Sequence, residues 1–501
     1  MVIPKEIQSI IGRLQKSGFE AYLVGGCVRD LLRARQSLGE GGREKEPLDW
    51  DITTNANPEQ IEKIFPKTFK DNKFGTVVIV TKSKNSRLKE VEITPYRIES
   101  KYTDKRHPDQ IQWAKTLEQD LKRRDFTVNA MAIGGQTSHG RSDLGVIDLF
   151  NGQSDLKNKI IRAVGKPDER FSEDALRLMR AVRLAAVLGQ GWKIEERTEK
   201  VIKKNAHLLE MISKERIRDE LVKIIISERG AEGIEILRKL GLLKYIIPEL
   251  EEGYGVSQNK HHIYEVYEHS LRALRYACEK GFNQYVRFAA LLHDIGKPRT
   301  KRGEGANACF YNHEIVGAKM SEQILNRLKF SKKDIEKIVR LVRYHLFYYN
   351  VDEVGESSVR RLVRQAGPES MDELLQVRMA DRIGSGVPKA EPYKLRHLKY
   401  IIEKVSQDPI SVTMLKINGE DIMRILEVKP CPKIGQVLDI LLGYVLIEPG
   451  KNKKEFLEKE TEKLSKVSVQ ELKKLAEKAR KERMKIVIKR DKMTKQKYWV
   501  T

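Results

Sequence analysis

Two aspartates one residue apart, in Asp49-Trp50-Asp51-Ile52, are the first residues of this 501-residue chain whose type and spacing suggest chemistry. On an extended strand side chains alternate, so both carboxylates leave one face while Trp50 and Ile52 leave the other. Paired carboxylates attract hard cations. A Mg²⁺ pair held this way can activate a 3′ hydroxyl and neutralise a departing pyrophosphate, which is what nucleotidyl transfer requires. Glu92, on a later apolar run, is a candidate third ligand. A solvated surface strand can carry the same acid pair, so its neighbours decide its meaning. Upstream, AYLVGGCVRDLL (21–32) runs an apolar strand through Gly25-Gly26 directly into a helix. Without Cβ atoms that turn admits phosphate oxygens, and the helix start offers free N–H groups. Arg29 adds a charged fork.

Two further clusters follow. Arg123-Arg124-Asp125-Phe126-Thr127-Val128-Asn129-Ala130 mixes cations, an acid and an amide ahead of an apolar run. Its arginines suit triphosphate oxygens and Asn129 suits a sugar hydroxyl; a surface knot of ion pairs is the plain alternative. Glu173 to Arg180, EDALRLMR, reads as the opening of one helix. Its apolar arc leaves Arg177 and Arg180 on the opposite side. Asp174 and Arg177, three residues apart, are then neighbours. Together they supply the acceptor and the donor needed to read the Watson–Crick edge of a base, or they form an ordinary surface pair.

A separate constellation lies further on: His262 and His269, expected on one helix face, His293-Asp294 ending an apolar helix, then His313, His345 and Asp381. Imidazole and carboxylate in this mixture suit a divalent metal that polarises phosphate and activates water.

These residues need elements to hold them. Periodicity makes the first 150 residues mixed α/β, with strands expected at Ala21 to Val24, Trp50 to Thr53, Val77 to Thr81, Val91 to Thr94 and Asn129 to Ile133. TKSKNSR reads as a hairpin connection between the third and fourth of these. Nearly everything after residue 168 reads as helix. The chain is therefore expected to be α+β, a mixed-sheet head followed by all-α domains. RARQSLGEGGREKEP (33–47) reads as a loop. No apolar run approaches the length that spans a bilayer and MVIPKEIQSI is no signal peptide, so a cytoplasmic location without membrane contact is expected. Four scattered cysteines form neither a zinc ribbon nor a disulfide framework. Lys and Arg outnumber Asp and Glu by 95 to 71, an excess that favours a polyanionic partner such as RNA. Residues 451–501, with 18 basic and 8 acidic side chains, read as a charged helical tail.

Taken in order, LVGGCVRDLL, DWDITT, ESKYTDKRHPDQIQWAKTLEQDLKRRDFTVNAMA, DLFNGQSDLKNKIIRAVG and RFSEDALRLMRAVRLA resemble the class II CCA-adding enzymes and bacterial poly(A) polymerases, over roughly residues 20–190. INGEDIMRILEVKPCPKIGQVL (417–438) resembles the body segment of that family, and RFAALLHDIGKP resembles the HD phosphohydrolases. The resemblance implies a polymerase-β-like head over 1–150 and a helical neck that binds RNA and nucleobase over 151–250. An HD domain over 251–400, a helical body and tail over 401–450 and a basic extension over 451–501 would follow.

It also implies site roles. Asp49 and Asp51 would hold two Mg²⁺; Gly25, Gly26 and Arg29 the triphosphate; Arg124, Asp125 and Asn129 the sugar and phosphates. Asp174 and Arg177, with Arg180 beside them, would read the base. His269, His293, Asp294 and Asp381 match the HD metal pattern, with His262, His313 and His345 as further candidates. The implied reaction is template-independent addition of CCA to the 3′ end of tRNA from CTP and ATP. Poly(A) synthesis or partial CC or A addition is the nearest alternative. A metal-dependent phosphohydrolase centred on the HD site, and an RNA-binding protein without catalysis, are the readings from other classes. The 33–47 insertion and the charged tail depart from the family pattern.

Overall fold

The computed structural model describes residues 3–39, 47, 49–70, 75–100, 110–134, 145–259, 263–406 and 412–500. The head is built on nine short strands: β1 (Ala21–Val24), β2 (Asp51–Thr54), β3 (Thr68–Lys70), β4 (Val77–Val80), β5 (Glu90–Pro95), β6 (Arg97–Ser100), β7 (Gln110–Trp113), β8 (Met131–Gly134) and β9 (Val146–Asp148). Seven form one sheet in the order β3-β4-β5-β2-β1-β8-β9, while β6 and β7 form an antiparallel ribbon. Within the large sheet β2 and β5 run parallel and the other neighbours antiparallel.

Side-chain alternation explains β5, where Val91 and Ile93 are buried and Glu90 and Glu92 exposed. β1 and β2 lie mid-sheet and are buried almost throughout, so polar Thr53 and Thr54 must find partners. Their hydroxyls donate to the carbonyls of Thr94 (3.0 Å) and Glu20 (2.5 Å). The register sets Val24 beside Asp51 and Asp51 beside Glu92, so these side chains share one face of the sheet.

β1 matches its expected span, and β2 starts one residue later than expected. β8 starts at Met131 because Thr127–Asn129 closes a 3₁₀ turn. The 33–47 loop is corrected in part: helix Gly26–Gly39 continues through its first residues, and residues 40–46 lie outside the described residues.

The single helix expected around Asp174 is also corrected. One helix, Pro167–Glu173, ends there and another, Leu176–Val187, begins. Asp174 takes an extended backbone and its carboxylate accepts the Leu176 N–H at 3.1 Å. A short acid competes with the helix for its own backbone donors, and here it restarts the chain in a new direction.

The described chain divides into two compact units, 1–346 with 373–388, and 347–372 with 389–501. In the first unit Ala273, Ala277, Ala290 and Ala380 make an alanine-lined contact between helices Val266–Glu279, Gln284–Leu292 and Met371–Gly384. Small side chains let those helices approach closely, which the metal-ligand candidates on them require. In the second unit Leu415, Ile422, Val437, Leu441, Leu457 and Leu472 share one core, so the basic tail's first turns are packed against the preceding helices. No described helix is long and apolar enough to cross a membrane.

Candidate active site

Gly25 occupies the left-handed region at φ +79°, where other residues are strained, and helix Gly26–Gly39 starts at the next residue. A Cβ on Gly25 would lie 3.2 Å from both Asp51 Oδ2 and Arg124 Nη1. The glycine turn, the strand acid and the arginine therefore converge on one point. Asp49 is exposed just ahead of β2, rather than on it, and Asp51 heads the strand. Burial pushes the Asp51 carboxyl above its ordinary range; Arg124 pulls against this, and the nearby Asp49 carboxylate adds to it. Repulsion between two acids sharing a site is relieved by a cation. The donors gathered here are carboxylate oxygens, with Glu92 in register beside Asp51, which fits a hard divalent ion.

Arg124 is held from behind. Its Nη2 donates to Asp120 Oδ2 at 3.1 Å, and Arg123 donates to Asp120 Oδ1 at 2.6 Å, so one fully buried carboxylate fixes both arginines. The Arg124 Nε, also buried, meets no hydrogen-bond acceptor among the described residues. An unspent donor of that kind beside an acid pair suits an anionic ligand. Sequence reading missed Asp120, although its i,i+4 spacing from Arg124 is legible.

A relay links the remaining head candidates. Arg29 donates to Asn129 Oδ1 at 2.7 Å, Asn129 Nδ2 to Asp125 Oδ1 at 3.1 Å, and Arg180 Nε to Asp125 Oδ2 at 2.8 Å. Arg29 also grips Asp30 through Nε (2.9 Å) and Nη2 (3.0 Å), and lies close to Gly26. Burial pushes the Asp125 carboxyl up, but the adjoining Arg180 guanidinium outweighs it and holds the group well below the usual carboxylate range. Arg180 is thus joined to Asp125 and Asn129, two of the residues expected to meet the sugar and phosphates.

The expected Asp174–Arg177 side-chain pair is not what forms. Asp174 is taken by Arg216, from helix Lys214–Ile225, through contacts of 2.8 and 3.2 Å. Arg177, expected opposite the apolar arc, is buried; it donates to Glu173 Oε2 at 2.6 Å and to the carbonyls of Arg170 and Arg123 at 3.0 Å. The break at Asp174 removes the i,i+3 stacking that one continuous helix would give. Nothing in the sequence pointed to Arg216, which is 42 residues away.

The second constellation assembles in the first unit. His269 Nε2 lies 2.8 Å from His293 Nε2, 3.0 Å from Asp294 Oδ2 and 3.5 Å from Asp381 Oδ1. His313 Nε2 and His345 Nε2 stand 3.4 and 3.8 Å from Asp294 Oδ1. Lys297, missed in the sequence, contacts Asp294 Oδ2 at 2.7 Å and donates to Gln258. Burial lowers the His345 imidazole to about 3, so it is neutral and ligand-ready. His262 lies outside the described residues, and the helix bearing His269 runs over Val266–Glu279.

A glycine turn feeding a helix, beside strand-borne acids on a mixed sheet, defines the head of a nucleotidyltransferase, here followed by helical domains. Residues 21–162 match the family described as the Poly A polymerase head domain, 191–253 the probable RNA- and SrmB-binding site of polymerase A, and 266–384 the HD domain. Each of these matches covers less than half of the chain, and the three follow one another along it. It is 44% identical over 228 residues to the CCA-adding enzyme of Lactobacillus helveticus, covering 45% of this chain and 51% of that one. It is 42% identical over 256 residues to that of Lactococcus lactis, covering 50% and 58%. The chain thus spans about half the length of the curated relatives it matches. The Bacillus stearothermophilus CCA-adding enzyme, solved in complex with CTP, aligns over 92% of this chain and 97% of its own at 27% identity and TM-score 0.57. The Thermotoga maritima CCA-adding enzyme with tRNA shares the fold, covering 92% and 95% at 21% identity and TM-score 0.52.

Proposed function

We propose that this chain completes the CCA sequence at the 3′ end of tRNA from CTP and ATP, without a nucleic-acid template, in the cytoplasm. The convergence of Asp51, Arg124 and the backbone of Gly25 on one point carries the reading. Asp49 and Asp51, with Glu92 beside them, would hold two Mg²⁺; when bound, such ions favour attack by the 3′ hydroxyl and neutralise the leaving pyrophosphate. The chain's own groups do the positioning. The Gly25-Gly26 backbone and the helix start behind it receive the triphosphate, with Arg29 and Arg124 supplying charge. Asn129 and Asp125 meet the sugar, and Arg180 keeps Asp125 ionised.

Base choice follows from hydrogen-bond polarity. Cytosine and adenine both present an amino donor beside a ring-nitrogen acceptor, whereas uracil and guanine present the reverse. A carboxylate and a guanidinium, Asp174 and Arg177, therefore accept the first pair and refuse the second. As the side chains stand, Asp174 is held by Arg216 and Arg177 by Glu173 and two carbonyls, so a base read by this pair would share or replace those contacts.

Sequencing the 3′ ends of tRNA transcripts that end before CCA, after CC, or in short oligo(A), each incubated with Mg²⁺ and all four triphosphates, tests the reading. Completion to CCA and a stop is expected. Long A tails would make the chain a poly(A) polymerase, CC or A alone a partial enzyme, and no addition would overturn the proposal.

The buried His and Asp cluster favours a second activity in the same chain. His269, His293, Asp294 and Asp381 would hold a divalent metal and act on a phosphate ester. Release of phosphate from a chromogenic ester, lost in Asp294→Asn, is the expected sign.

A further inference from the structure

We propose that the head carries a second ligand site, at the opposite end of β2 and β5 from the acid pair, which binds a nucleotide unit with its base on Trp113 and its phosphate on Lys115 and the neighbouring side-chain amides. The inference stands apart from the reading of the Asp51 site.

A cavity of about 410 Å³ opens where β2, β5 and β7 end, lined by Asn55, Asn57, Gln60, Trp113 and Lys115, with Tyr96 in its wall. That volume suits a ligand the size of a nucleoside monophosphate. Asp51 heads β2 and Asn55 follows its last residue. At about 3.3 Å per residue the cavity and the acid pair therefore stand about 13 Å apart along the strand.

Hydrogen-bond polarity decides what the cavity can hold. Asn55 Oδ1 accepts the Glu20 N–H at 2.8 Å, Asn57 Oδ1 the Gln60 N–H at 2.9 Å, and Gln60 Oε1 the Asn57 N–H at 2.8 Å. An amide whose oxygen is spent on the backbone has its NH₂ left to offer, and an NH₂ only donates. The Tyr96 hydroxyl donates to Glu20 Oε2 at 2.9 Å, and Glu20 does not line the cavity. Lys115 is exposed, and its ammonium meets no carboxylate among the described residues. Amide donors and an ammonium gathered without a side-chain acceptor call for an anion, and phosphate oxygens fit them.

The aromatic wall narrows the anion to a nucleotide. Trp113 is 46% exposed, whereas Trp50 and Trp192 are buried. Its ring is braced rather than loose. Gly75, at φ +77°, backs onto the indole so closely that a Cβ there would lie 2.5 Å from Trp113 Cη2. A ring held along one edge and open to solvent elsewhere is a stacking platform, and every base has a face to lay on it.

The test is NMR of the isotope-labelled indole N–H groups of the full chain with Mg²⁺ chelated. The sequence has four tryptophans, and loss of one resonance in Trp113→Phe assigns the reporter. AMP should move the Trp113 resonance saturably, and inorganic phosphate should need a far higher concentration for the same shift. Trp50, between Asp49 and Asp51, reports nucleotide bound at the acid pair, so the two sites are told apart. Lys115→Ala, at an exposed position, should weaken AMP at least about 10-fold. A shift with AMP would assign the site to a free nucleotide, and a shift with a short oligo(A) but not with AMP would assign it to an RNA strand; either upholds it. Phosphate matching AMP would overturn the nucleotide. No Trp113 shift with any of these probes, or undiminished binding in Lys115→Ala, would overturn the site.

Discussion

At Gly25 the argument turns on one missing methyl. A Cβ there would crowd Asp51 and Arg124 at 3.2 Å, and a side chain at φ +79° is strained besides. Gly25→Ala should lower nucleotide addition at least about 100-fold while costing only about 1 kcal/mol in folding, read by incorporation and by urea denaturation. Asp51 gives a prediction with a sign. Its folded carboxyl titrates above its unfolded value because of burial, so ionising it costs stability above the folded pKa, and that cost fades as pH falls through it. Asp51→Asn should therefore raise the melting temperature at pH 7, lose that advantage on acidification, and abolish addition at every pH. Arg177→Ala should blur CTP and ATP preference before it weakens RNA binding; unchanged preference would refute its part in base choice. The strand acids, glycine pair and arginines were legible because their chemistry repeats at fixed spacing. Arg216 was not, because a contact across 42 residues leaves no local trace.

Elements decide where those residues stand. Period-two alternation marked β5, a short apolar run marked β1, and apolar periodicity marked the helical half, because each records a buried face directly. The three-residue strands β3 and β9 and the ribbon β6–β7 carry too little pattern to be read. The helix break at Asp174 escaped because Phe171 before it and Ala175 and Leu178 after it continue a helical rhythm, which the side chain's bond to Leu176 N interrupts. Close helix packing likewise rests on residues that look neutral in sequence. Gly296→Ala would place a methyl 2.4 Å from the His313 carbonyl. It should cost about 1–3 kcal/mol by overpacking and lower divalent-metal retention at the His and Asp cluster, checked by denaturation and metal content. Unchanged stability would mean that the helices yield freely there.

Over the whole molecule, regions that match a Poly A polymerase head domain, a probable RNA- and SrmB-binding site and an HD domain follow one another in one chain with a net charge of +24. Charge alone left open whether RNA is the partner; the match of 191–253 to a probable RNA- and SrmB-binding site is what favours RNA in the proposed function. If tRNA is held by its backbone, its affinity should fall at least about 100-fold between about 50 and 200 mM salt, as measured by filter binding. A flat salt response would contradict that mode of binding. The claim on which the rest depends is that the Asp51 site performs the transfer. Its most direct test is single-turnover addition of labelled CTP and ATP to tRNA lacking CCA, by the natural chain and by Asp51→Ala, with tRNA affinity measured in parallel. The account predicts completion to CCA by the first, none by the second, and tRNA affinities within a few-fold of each other. Equal addition by Asp51→Ala would contradict it.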